Sequence, residues 1–216
     1  ILVDTSGNAV TWASLAGWAG TLTRSGEGSL MLGAGTYEGK LTNEGAGSLI
    51  IGAGNASLAG GIGGTVSKTG DGTLTINRNA FTNSNGSTLV VESGTLSLIQ
   101  NEGAWTGTMN IVLGDNVTMN VPYGVGVNGT GTLTMGGGTT LNLSNGNGSS
   151  NTFNMNIVLD AGEGLVSLRG SVNGNKTSVG STISGTGNLR ITHLNNGSNT
   201  VSYTHLRAHE TVLDLV

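Results

Sequence analysis

One short pattern, Gly-x-Gly-[polar]-Leu-x-[aliphatic], occurs five times in this chain, at Gly26–Leu32, Gly45–Ile51, Gly70–Ile76, Gly129–Met135 and Gly185–Ile191. Repetition of a unit this small restricts the fold more than any single motif. A seven-residue unit cannot bury its own apolar side, so copies must stack on one another to make a core. Within each copy apolar residues recur at every second position, which marks a strand with one buried side. Leu30 and Leu32, Leu49 and Ile51, and Leu74 and Ile76 are expected to point to one face. The glycines ahead of each strand are expected to supply the positive-φ corner that turns the chain into it.

The early copies start 19 and then 25 residues apart, and a longer period follows. Met109-Asn110-Ile111-Val112-Leu113 returns as Met155-Asn156-Ile157-Val158-Leu159, and the copies at Gly129 and Gly185 stand 56 residues apart. Between them lie further strands, Thr140–Leu143 and Leu165–Leu168. The pairs Asn85-Gly86, Asn128-Gly129, Asn145-Gly146, Asn147-Gly148 and Asn173-Gly174 mark loops. No helical periodicity of useful length is found. A period of roughly 20 residues with tight corners fits a coil of two or three strands per turn. The fold class expected is all-β, a right-handed parallel β-helix (β-solenoid) built from short repeats. Asn-Gly also makes hairpin turns, so a hairpin-built sandwich or propeller is the alternative.

Composition removes several other classes. Glycine supplies 40 of the 216 residues, but there is no period of three and only one proline, Pro122, which excludes collagen. Charged residues are 9% and hydrophobic ones 36%, the reverse of the balance in disordered chains. So few lysines and arginines, none clustered, exclude a phosphate-neutralising nucleic-acid surface. The chain has no cysteine, hence no disulfide, thiolate metal site or cysteine nucleophile. No apolar run approaches the roughly 18 residues of a membrane helix. The chain opens on Ile1-Leu2-Val3 without an initiator Met or signal-peptide pattern, as expected of an internal fragment.

The two ends of the chain differ in kind. Residues 1–200 are assigned to the solenoid. Residues 201–216 form a separate tail without glycine or asparagine, and it holds two of the three histidines. The stretch Val201–Thr211 resembles one reading frame of a transposon-end sequencing adapter, which implies a non-native, adapter-derived tail.

The stretch Lys68–Leu98 carries the most complete copy. It runs Lys68-Thr69-Gly70-Asp71-Gly72-Thr73-Leu74-Thr75-Ile76, continues through Phe81-Thr82 and Ser84-Asn85-Gly86, and closes on Gly94-Thr95-Leu96-Ser97-Leu98. This order resembles the autotransporter-associated β-strand repeat of bacterial passenger domains. The Ser84-Asn85-Gly86 insertion is a local departure, standing where that repeat has a single glycine. The likeness spans most of residues 26–199, strongly in this copy and loosely elsewhere. It implies a β-helical passenger at the bacterial cell surface or outer membrane, or secreted. Its partner would be a translocator barrel further along the same chain. Glycans, a host surface or a second copy are further expected partners. The repeat implies scaffold and adhesive work, with no catalytic set to carry over.

Chemical motifs add little to this. Gly124-Val125-Gly126-Val127-Asn128-Gly129 matches a dinucleotide fingerprint, but a strand-like Thr130-Gly131-Thr132-Leu133 follows where a helix is required, so no cofactor is assigned. A β-helical carbohydrate-active enzyme, lyase or hydrolase, is the alternative function; it needs carboxylates with basic partners along one face. Its candidates, Asp71, Asp115, Asp160, Glu163, Lys176 and Arg190, are scattered, mostly at corners where Asp favours turns. No catalytic residue is therefore assigned. His193 has no histidine or cysteine neighbour in sequence, so no metal ligand is assigned either. Trp12, Trp18, Tyr37, Trp105 and Tyr123 are expected to pack at ends or corners, or to stack on sugars where exposed. Thr75 and Thr134 are expected to face outward and form polar ladders. A secreted surface-matrix protein without a barrel remains a third possibility.

Overall fold

The computed structural model describes residues 1–13, 17–99, 103–144, 151–160, 162–169 and 177–193. Lys176, the loops at Asn145–Gly148 and Asn173-Gly174, and the 201–216 tail lie outside the described residues. The protein is nearly all β, a parallel β-solenoid of about 7 turns. Every described strand pair runs parallel, so the hairpin alternative is set aside. A right hand is what crossovers between parallel strands adopt.

The strands of successive turns line up on three faces. The central sheet has nine strands, from Ala9–Trp12 through Leu49–Ile51 and Asn110–Leu113 to Ile183–Gly185. The second sheet has eight, from Gly35–Tyr37 through Thr73–Ile76 and Thr140–Ser144 to Asn188–His193. The third face is split into two four-stranded sheets, one from Leu2–Asp4 to Ile62–Gly63 and one from Gly103–Trp105 to Thr177–Val179. The step from a residue to its neighbour one turn on is 19 residues at Arg24–Asn43, 22 at Asn110–Thr132 and 26 at Asp160–Thr186. The corners absorb the difference, so the strands keep their register while the sequence period drifts.

Register explains the core. On the central sheet Leu30, Leu49, Val66, Leu89, Ile111, Leu133 and Ile157 stack as one buried column. Like residues one rung apart nest at about 4.8 Å. Leu30, Leu32, Leu49 and Ile51 do share a face, but Leu74 and Ile76 stack instead with Leu96 and Leu98 on the second sheet. The same motif therefore opens strands on two sheets. All six side chains are buried, because both sheets turn their inner side to one core.

The glycines depart from expectation too. Gly26, Gly70 and Gly185 have positive φ, but Gly45 and Gly129 are absent from the positive-φ glycines. In the first four copies the stricter demand falls on the second glycine of the motif, and in the last on the first, Gly185. A Cβ at Gly72 would stand 1.9 Å from the Gly54 carbonyl oxygen, and one at Gly131 2.0 Å from that of Met109. Successive corners lie in backbone contact, and no side chain fits between them.

One short helix, Arg78–Thr82, interrupts the repeat, although the sequence carries no helical period to announce it. Asn77 caps it by accepting a hydrogen bond from the Ala80 backbone N–H. The helix occupies the third face between the strands Ile62–Gly63 and Gly103–Trp105. Where a strand would have paired with Ile62, the Ser84 hydroxyl accepts from the Ile62 N–H at 2.8 Å and Ser87 Oγ donates to the Ile62 carbonyl at 3.1 Å. Ser84 also donates to the Ala80 carbonyl. The insertion Ser84-Asn85-Gly86 thus closes the lower sheet of this face. Ser84→Ala should destabilise the fold by about 1–3 kcal/mol through the buried Ile62 donor it orphans, read as a drop in the urea midpoint.

Candidate functional surface

The outer side of the second sheet is a regular polar surface. Its strands Thr73–Ile76, Thr95–Leu98, Thr118–Val121 and Thr140–Ser144 alternate half-buried and buried residues. In register, Thr73, Thr95, Thr118 and Thr140 form one outward column. The second column runs Ser57, Thr75, Ser97, Asn120 and Asn142. Asn142 Nδ2 donates to Asn120 Oδ1 at 3.0 Å, tying two rungs together outside the backbone ladder. Thr75 is in a polar ladder as expected. Thr134 is not, since its partners on the central sheet are Val112 and Val158. Sequence alternation reads a strand's outward positions, but which outward residues stack depends on corner lengths that it does not fix.

The scattered acids are partly gathered. Asp71, Asp115 and Asp160 all lie exposed at the corner between the central and second sheets, on different rungs, and Glu92 joins them there. Sequence reading passed over Glu92, which stands between Val91 and Ser93 without the Gly/Asn flanks of Asp71 and Asp115. Asp115 Oδ1 accepts from the Gly137 N–H at 2.8 Å, a bond that links its corner to the next one up the coil. The described part of this corner contains no arginine, and its lysine is buried. Arg190 lies exposed on Asn188–His193, where the Glu163 backbone pairs with Asn188 and that of Leu168 with His193. Among the described residues no three His, Cys, Asp or Glu side chains gather as a metal site, and no helix is long and apolar enough to cross a membrane.

Gly124–Gly129 contains the strand Val125–Val127, and the next element is the strand Thr132–Met135. Trp105 and Tyr37 are buried, and Trp12 packs against the core, while Trp18 and Tyr123 are exposed. The Tyr37 hydroxyl donates to the Gly33 carbonyl, and burial pushes its pKa up to about 12.

Two cations are fully buried, and composition gives no hint of either. Arg24 donates from Nη1 to Asn43 Oδ1 at 2.5 Å and from Nη2 to the Gly26 carbonyl at 2.6 Å, while Nε has no partner. Beside it, the loop Glu44–Ser48 overhangs the single-glycine corner Gly64 of the next turn and leaves an open cleft of about 510 Å³. Lys68 takes a core position between Ile51 and Val91, with Nζ donating to the carbonyls of Thr69 and Gly70. Loss of hydration lowers its pKa from 10.5, and the nearby Asp71 charge pulls the other way.

Between that lowered folded value and the unfolded 10.5, the unfolded chain binds more protons, so stability from this group rises with pH. Below the window the full cost of the buried charge is present. Urea midpoints of wild type and Lys68→Met should therefore shift in favour of wild type as pH rises from neutral towards 10.5.

Comparison of the chain with protein-family models, with curated proteins and with solved structures gives no match.

Proposed function

We propose that the chain is a structural and adhesive stalk from the passenger of a bacterial surface-exposed autotransporter. On this reading it works without catalysis, at the cell surface or outer membrane or after release. Its partner is a translocator barrel encoded further along the same polypeptide. The observation that carries the reading is the unbroken stacking of nine strands on the central sheet and eight on the second. A rod with a continuous apolar core holds its shape while presenting a long face, as a stalk must. The match of Lys68–Leu98 to the passenger repeat supports the setting, and so does the absence of cysteine from a chain that would cross the outer membrane unfolded.

The test is to obtain the intact gene and express it with an epitope inserted at the Asn85-Gly86 corner. The stalk reading expects a β-barrel domain downstream and an epitope that protease removes from intact cells. An intact gene without a barrel, its product shed wholly to the medium, would favour a secreted matrix protein instead. Release of reducing or unsaturated sugar ends from polysaccharides, abolished by Asp115→Asn, would sink the non-catalytic reading.

A further inference from the structure

The polar face of the second sheet has a chemistry that a stalk does not require. Over four successive rungs it sets Thr73, Thr95, Thr118 and Thr140 beside Thr75, Ser97, Asn120 and Asn142. These side chains include no ionisable group and no aromatic ring, although charged residues line the adjoining corner at Asp71, Glu92 and Asp115. Each is half-buried against its neighbours. Threonine has few χ1 choices on a strand, and the Asn142–Asn120 bond fixes two amides, so the groups are held in place before any partner arrives. The grid repeats at about 4.8 Å from rung to rung and roughly 6.6 Å from column to column.

The choice of partner follows from that neutrality and repeat. A charged ligand finds nothing here to pair with. A sugar ring finds no aromatic face to lie on, since Trp105 and Tyr37 are in the core. A neutral lattice of oxygens repeating in two directions meets a hydroxyl or amide at each node, with threonine methyls filling the spaces between. The prism face of hexagonal ice is such a lattice. Water held on a rigid grid has already lost most of its freedom, so joining a crystal costs it little more entropy.

We propose that this Thr/Ser/Asn face binds ice, making the rod a surface that adheres to ice crystals. The inference rests on the ladder alone and stands whether or not the chain is exported as proposed above. The experiment grows an ice hemisphere slowly in a solution of the full chain and measures the protein taken into the ice against that left in the liquid. Wild type should be enriched in the ice. Thr118→Tyr, which raises a ring from the middle of the grid, should be excluded into the liquid. Asn120→Asp, which adds charge with almost no change in size, should be excluded too. Thr134→Tyr, outward on the central sheet, should be taken up as wild type is. Far-UV circular dichroism and urea midpoints establish that the variants are folded; should Thr118→Tyr fail this, Asn120→Asp decides. Exclusion of wild type overturns the proposal, as does equal loss in Thr134→Tyr or retention on crystalline cellulose without uptake into ice. Oligomers dispersed by Thr118→Tyr, again without ice uptake, would assign the face to a second copy and overturn it as well.

Discussion

Gly72→Ala is expected to destabilise the protein by about 3 kcal/mol, a large effect for one methyl group. The added carbon would stand 1.9 Å from the Gly54 carbonyl oxygen and 2.1 Å from its carbon, both backbone atoms of the turn below. Backbone cannot rotate aside as a side chain does. The two turns must separate locally, and the ladder bond from the Thr95 N–H to the Gly72 carbonyl is disturbed with them. The matched control is Gly86→Ala. Gly86 has φ +71 but nothing within 4 Å of a Cβ, so only the left-handed backbone penalty of about 1 kcal/mol applies. Urea unfolding of both variants separates the two reasons for glycine. Equal losses would mean that close approach of the corners is not what selects it.

Trp105→Ala should cost about 3–5 kcal/mol, the range for deleting a large buried aromatic. Trp105 is wholly buried and meets Phe81 of the short helix edge to face, with ring centroids 5.8 Å apart. That contact ties the helix to the first strand of the upper third-face sheet. Its indole N–H has no hydrogen-bond partner, so Trp105→Phe removes an unsatisfied donor along with some volume and should cost much less than alanine. Thermal or urea melts of the pair test this. A phenylalanine variant as damaged as the alanine one would show that the nitrogen is satisfied or that ring size dominates.

The parallel stack was legible in the sequence because its two causes are local. Alternation at Leu74-Thr75-Ile76 and Leu96-Ser97-Leu98 sets which side of a strand is buried, and a recurring glycine motif sets the need to stack. Assignment of strands to sheets was not legible, since it depends on summed corner lengths. The step shortens where Gly64 alone makes a corner and lengthens at Ser84-Asn85-Gly86. That is why Leu74 and Leu49, in the same motif, belong to different sheets, and why Thr134 left the polar ladder while Thr75 stayed in it. The burial of Lys68 was hidden for a related reason. Its position in the repeat is fixed by the strand period, but the carbonyls of Thr69 and Gly70 that hold its ammonium belong to a corner whose shape alternation does not describe. The helix Arg78–Thr82 is too short for a periodic signal, and its one local mark is the capping Asn77.

That helix has a mechanical consequence. Where all three faces carry paired strands, a pull along the axis is shared by three hydrogen-bonded ladders. At Ile62 one of them is replaced by the hydroxyls of Ser84 and Ser87, so two ladders carry the load across this level. The helix has no strand partner on its upper side either, so the rod is expected to yield first at the helix level, on one side or the other of the strand Thr88–Val91, parting into a lower and an upper block. A stretched molecule should lengthen in two main steps before it unravels turn by turn.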